Sequence, residues 1–295
     1  MTSTPSTSRS PASTVLLRPS ETQEVAFRQI RLDPRVSPTS PGVRGQAQSA
    51  LARGPTCFGK PATQVGTQGM DELTGTPHRD VIVGRGGDDY ILAQGGDDLV
   101  CAGSGIDLVE AHSGRDRVVG GAGDDRIRGG KGIDFLIGGL GADTLLGGSQ
   151  DSSIMDSSDF LDGGPDNDVL VGGDGDDEVH GSDGDDILHG GLGSDELHGE
   201  AGDDHALGQA GSDRVYGEAG LDRLSGDDPR FDEGDADVLH GGPGDDDLDG
   251  GAGDDKLDGG TEFDYLDGGS GQDTCSNGEV PISCESLTPK SLSRR

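Results

Sequence analysis

An aspartate returns every nine residues through most of this 295-residue chain. One set runs Asp71, Asp89, Asp107, Asp125, Asp143, Asp168, Asp186, Asp204, Asp222, Asp246 and Asp264. A second, nine residues out of step, runs Asp80, Asp98, Asp116, Asp134, Asp159, Asp177, Asp195, Asp213, Asp237, Asp255 and Asp273. Closely spaced carboxylates repel one another unless a cation lies between them, so all 22 are expected metal ligands. A hard cation that accepts six to eight oxygens in irregular geometry fits best, which is Ca²⁺ rather than the strictly octahedral Mg²⁺. Soft metals want thiolate or imidazole, which these turns lack. General acid–base catalysis needs one carboxylate pair set apart by its surroundings, whereas pairs such as Asp88/Asp89 recur along the array. No Gly-x-Ser-x-Gly nucleophile elbow is present either, so the expectation is a protein without catalysis.

The carboxylates sit in a nonapeptide that must position them. Gly120-Gly121-Ala122-Gly123-Asp124-Asp125-Arg126-Ile127-Arg128 is one unit, and residues 66–276 hold 22 of them. Position six is Asp in every unit, and position four is Gly in 17, the exceptions being His78, Ser157, Asp166, Asp235 and Glu262. Position eight is Ile, Leu or Val except at Ala206 and Cys275. Glycines at positions one, two and four suit positive φ and close backbone approach in a tight turn. Positions seven to nine then read as a short strand with its aliphatic residue turned inward. If two units make one coil, every second unit stacks on the last as a paired strand in one of two parallel sheets, and eleven coils extend about 53 Å. The two aspartate series become two columns on opposite edges. Insertions near 149–156 and 228–234 leave the phase intact, as loops on a regular stack do.

Composition limits what else can hold such a chain together. Only 29% of residues are hydrophobic and 3% aromatic, against 56 Gly and a net charge of −35. Too little apolar surface exists to offset chain entropy by burial alone, and the charge argues against nucleic acid or anionic membrane as partners. No run approaches the roughly 18 apolar residues of a membrane helix. Residues 1–56, rich in Ser, Thr, Pro and Arg, read as a disordered leader. The Val15-Leu16-Leu17 triplet is too short for a signal-peptide core. Residues 57–65 read as an N-terminal cap, and 277–295 as a C-terminal cap and tail. An EF-hand is excluded, since no Asp run carries Gly at loop position six and Glu at twelve. His180, His189, His198 and His240 all fall at position nine, with His180 and His198 on adjacent coils of one sheet. Solvated surface positions are expected for them, with a transition-metal site as the alternative.

These units resemble the RTX, or haemolysin-type, calcium-binding repeat family with its G-G-x-G-x-D-x-U-x nonapeptide. The resemblance implies an all-β fold, a right-handed parallel β-roll with Ca²⁺ held between turns, and folding after export to a calcium-rich, extracellular or cell-surface location. The ends resemble a cysteine-capped branch of such proteins, in Cys57-Phe58-Gly59-Lys60-Pro61-Ala62-Thr63 and in Cys284-Glu285. That implies disulfides Cys275–Cys284 and Cys57–Cys101, with free thiols as the alternative. The expected function is a structural or surface-interaction module, with a cell-surface or matrix ligand as partner. The alternative is a toxin-like or enzyme-associated protein whose roll assists export of a separate effector.

Overall fold

The computed structural model describes residues 54–148, 158–228, 234–278, 280–284 and 286–288, so residues 1–53 of the predicted leader and the inserted residues 149–156 and 229–233 lie outside the described part. Two parallel sheets, of 12 and 13 strands, take alternate strands of the chain. The register advances by two nonapeptides at each step: Glu72 pairs Tyr90, Tyr90 pairs Leu108, and Leu108 pairs Arg126. The chain is thus an all-β solenoid in which each coil holds two nonapeptides and pairs only with its neighbours. At the two insertions the ladder takes a longer step, from Phe135 to Phe160 and from Arg214 to Val238, and then resumes its two-unit register.

The interior is one residue deep. Each position-eight side chain from Ile82 to Cys275 is at most 2% exposed and belongs to a single cluster, with Leu73 partly buried at its end. Burial contributes roughly 1.5–3 kcal/mol for each such aliphatic, which organises the coils without supplying a thick core.

The strands are longer than the sequence reading put them. Most span six residues, positions seven to nine and then one to three of the next unit, as in Arg126–Lys131. The turn shrinks to positions four to six. Glycines at positions one and two remain in the ladder, since a glycine strand still offers its N–H and C=O, and Gly121 pairs Gly139. Positive φ belongs to positions two and four, +125° at Gly121 and +126° at Gly123. Position one keeps ordinary φ and is inward and buried, with Ala93, Ala102 and Ala111 in its place near the N-terminal end.

Both ends extend the sheets. Gln64–Val65 joins one sheet before the first repeat, and Val280–Ile282 and Ser286–Thr288 add a strand to each after the last. A two-stranded antiparallel piece, Thr56–Cys57 with Lys60–Pro61, lies against the outer face of the first coils. There Cys57 is buried with Val81, Val83 and Leu99 in a second small core. Disulfides join Cys57 to Cys101 and Cys275 to Cys284.

Candidate metal centre

Each position-six aspartate turns its side chain into the corner of its coil. From Asp80 to Asp273 all are at most 6% exposed, so the two columns lie within the turns and not on solvated edges. The tight turn causes this, because its glycines leave no side chains to screen the carboxylate and the stacked neighbours close over it. Oδ1 of each accepts a hydrogen bond from the main-chain N–H of the aspartate one coil earlier, as Asp107 N–H donates to Asp125 at 2.8 Å and Asp125 N–H to Asp143 at 2.7 Å. The same bond links Asp80 to Asp98, Asp98 to Asp116 and Asp195 to Asp213, and it bridges the insertions from Asp134 to Asp159 and from Asp222 to Asp246.

The second oxygen is the anomaly. Oδ2 of Asp107, Asp125, Asp143, Asp195 and Asp213 is buried and meets no hydrogen-bond donor. A buried carboxylate with an unsatisfied oxygen is costly as an anion. Burial accordingly pushes the Asp125 carboxyl up to about 7, against the lowering by the Asp107 N–H, with Asp107, Asp143 and Asp124 raising it further. Asp168, Asp195 and Asp237 rise to about 8 for the same first reason.

The first two aspartates differ. Oδ2 of Asp71 accepts from the Thr67 N–H and hydroxyl, and Oδ2 of Asp80 from the Thr76 N–H and hydroxyl. The Thr63 hydroxyl also donates to Asp80 Oδ1 at 3.1 Å, where an earlier coil would have supplied an N–H. Threonine thus closes the N-terminal end of both columns.

A second ladder escaped the sequence reading. Asp88, Asp97, Asp124, Asn167, Asp176, Asp185, Asp203, Asp245 and Asp254 stand at position five, and Oδ1 of each accepts the position-five N–H of the following coil. Position six therefore reaches back one coil and position five reaches forward. The signal in the sequence was the Asp-Asp doublet itself, such as Asp88/Asp89, read there only as too frequent to mark one acid–base pair.

Position-four carbonyls complete the corner. A Cβ on Gly123 would collide with the Gly105 carbonyl oxygen of the preceding coil, and one on Gly132 with that of Gly114. Among the described residues no three His, Cys, Asp or Glu side chains converge on a metal-sized point. A cation in these corners must therefore draw on main-chain carbonyls as well as carboxylate, the mixed oxygen shell that Ca²⁺ accepts.

Comparison with known families decides the reading. The model of the RTX calcium-binding nonapeptide repeat matches eight times between residues 65 and 279, at 65–100, 74–109, 102–136, 119–154, 162–197, 198–228, 231–264 and 251–279. The chain belongs to that family. Multiple Ca²⁺ ions are its cofactor, and the RTX turns are the corners just described. No curated protein matches the chain. Among the described residues no helix is long and apolar enough to cross a membrane.

The histidines are not simple surface groups. His180 and His198 are 22% and 21% exposed and lie in a column of rings on the outer face of one sheet, Phe135, Phe160, His180, His198, Tyr216 and His240. Arg117 lies between Phe58 of the cap and Phe135, 4.4 and 4.9 Å from their ring centres. Expecting His180 and His198 in solvent failed because stacking between neighbouring coils removes ring faces from water, whereas His240 at the end of the column stays 45% exposed and His189 lies outside it.

Proposed function

We propose that this RTX chain is an extracellular structural or surface-interaction module whose roll is assembled by Ca²⁺ between its turns. The observation that carries the reading is the buried Oδ2 without a donor, repeated from coil to coil, as at Asp107, Asp125 and Asp143. A divalent cation beside each such oxygen replaces the missing donor and neutralises the column. The proposed ligands are the position-six aspartates after Asp80 together with position-four carbonyls, while Asp71 and Asp80, already satisfied by threonine, close the columns. Residues 66–276 form the calcium-binding domain, between caps at 57–65 and 277–295.

Two disulfide-tied ends and a fold held by a weakly bound ion suit an oxidising, calcium-rich compartment. Extracellular calcium modules bind on the order of 10⁻⁴–10⁻³ M, so cytosolic calcium would leave the columns empty. Repeats fill the chain between its caps, and the aspartate environments repeat without singling out a pair for acid–base work, which supports a non-catalytic role. Calorimetric titration with CaCl₂ should give many ions per chain, and sedimentation with cell envelopes should need Ca²⁺. One or two ions per chain would contradict the columns, and envelope binding equal in EDTA would contradict a calcium-dependent surface role.

A further inference from the structure

One stretch of the outer wall breaks the acidic pattern of the roll. Along the edge that holds Asp116, Asp134 and Asp159, the side chains of positions five and seven wall a groove of about 280 Å³ that crosses four successive coils. Coils stack at about 4.8 Å, so the groove is about 14 Å long. Its coils follow one another in a single sheet, where Arg117 pairs Phe135, Phe135 pairs Phe160 and Phe160 pairs Glu178.

The walls are ordered by charge. The first coil contributes Arg115 and Arg117, and the fourth Asp176 and Glu178. Between these ends lie Ile133 with Phe135, and then Ser158 with Phe160. Ile133 is 41% exposed, whereas position five of this edge is otherwise polar or small, as at Asp97, Ser194 and Asp254. The Phe135 and Phe160 rings stack at 4.7 Å, and the Arg117 guanidinium lies 4.9 Å from the Phe135 ring centre. An exposed apolar centre between charged ends is the anatomy of an association surface. At about 280 Å³ the groove falls below the roughly 300–1,000 Å³ of small-molecule pockets, which favours a macromolecular partner.

We propose that this groove is the contact between two copies of the chain, related by a two-fold axis that stands on its floor between Asp134 and Asp159. Such an axis reverses both the stacking direction and the strand direction, so position five of one copy meets position seven of the other. Arg115 then faces Glu178 of the second copy, Arg117 faces its Asp176, and Ile133 faces its Phe160, with Phe135 over its Ser158. Each contact occurs twice and every charge meets its opposite, which steers the two copies into this register. A face acidic throughout, like most of the roll, would repel its own copy. The inference rests on the calcium reading in one respect, because a net charge of −35 opposes self-association until bound Ca²⁺ neutralises the columns. A contact about 14 Å long is small beside the roughly 800 Å² per partner of a standard interface, so the dimer is weak and concentration-dependent.

The test is sedimentation velocity of the full chain in CaCl₂ over a range of protein concentrations, with calcium stoichiometry measured on the same samples. The parent should pass reversibly from monomer to dimer, and less readily in high salt, because the end contacts are exposed ion pairs. Arg115→Glu and Glu178→Lys each bring like charges together twice per dimer, and each should weaken association at least about tenfold. An equimolar mixture of the two variants should form a dimer again, since each then offers the charge that the other lacks. Asp254→Lys, a charge reversal at position five of the same edge but outside the groove, should leave association unchanged. Unaltered far-UV circular dichroism in calcium confirms that the variants fold. A parent that stays monomeric at every concentration overturns the proposal and leaves the groove to another protein or to a segment of its own chain. Normal calcium stoichiometry in that monomer would leave the calcium reading standing. Association that ignores both reversals, or that the mixture does not restore, also overturns the proposal. The first would place the contact on another face, and the second would deny the two-fold pairing.

Discussion

The N–H of Asp107 donates to Oδ1 of Asp125 at 2.8 Å, one coil further on, while Oδ2 of the same carboxylate is buried without a donor. One oxygen thus serves the stack, and the other is the one proposed to meet a cation. The two roles separate on substitution.

Asparagine at Asp125 and Asp143 keeps an Oδ1 acceptor and removes the charge. The double variant Asp125→Asn/Asp143→Asn is expected to bind fewer calcium ions yet to resist urea better than the parent in EDTA. Asp125→Ala/Asp143→Ala loses the hydrogen bonds as well, at about 1–3 kcal/mol for each main-chain N–H left buried and unpaired. It should be the less stable of the two at every calcium concentration. Urea melts across a calcium series read both effects, and equal behaviour of Asn and Ala would deny the division of labour.

Without calcium, acid should favour the fold. An exposed aspartate titrates near 4, whereas burial pushes Asp125 up to about 7 and Asp195 to about 8 in the folded chain. Between those limits the folded state holds protons that the unfolded state has released. The stabilisation is therefore complete below about pH 4 and is lost as pH rises through 7 to 8. β-sheet circular dichroism in EDTA should grow from pH 8 to pH 5, and the calcium midpoint should move to higher concentration over the same change. Loss of signal on acidification would contradict this.

Gly123 has φ of +126°, and a Cβ on it would collide with the Gly105 carbonyl oxygen. Gly123→Ala is expected to cost about 1–3 kcal/mol and to raise the calcium midpoint, since the carbonyl displaced is a proposed ligand. Asp124→Ala, which removes a 3.2 Å bond from the Ala142 N–H at the surface together with a like charge beside Asp125, should cost under about 1 kcal/mol. Thermal melts of the two variants in calcium give the comparison.

Cys57–Cys101 spans 44 residues and Cys275–Cys284 spans nine. Loop entropy assigns them about 4 and about 2.6 kcal/mol. Cys57→Ser/Cys101→Ser should lower urea stability in calcium more than Cys275→Ser/Cys284→Ser does, with hydrogen exchange rising first around Val81 and Leu99, which pack on Cys57.

Much of the fold was legible because position eight and position six obey a strict phase. Ile127 and Leu145 had to face inward and pair one coil apart, and they do. What escaped the sequence depends on side-chain direction at the corner. Nothing in the spacing says whether Asp125 points to solvent or into its turn, or that Asp124 reaches forward while Asp125 reaches back. His180, His198, Tyr216 and His240 share position nine, but the junction of the ring column with Phe160 escaped for another reason. Phe160 stands at position seven and His180 at position nine, so the contact is diagonal between coils and invisible to a period count.

The central claim is that calcium stands in for a missing hydrophobic core. Far-UV circular dichroism of the full chain, titrated from EDTA with CaCl₂ and in parallel with MgCl₂, tests it most directly. A cooperative gain of β-sheet signal with Ca²⁺ at neutral pH, and little or none with Mg²⁺, is the predicted result. A chain already folded in EDTA at that pH, or folding equally with Mg²⁺, would contradict it.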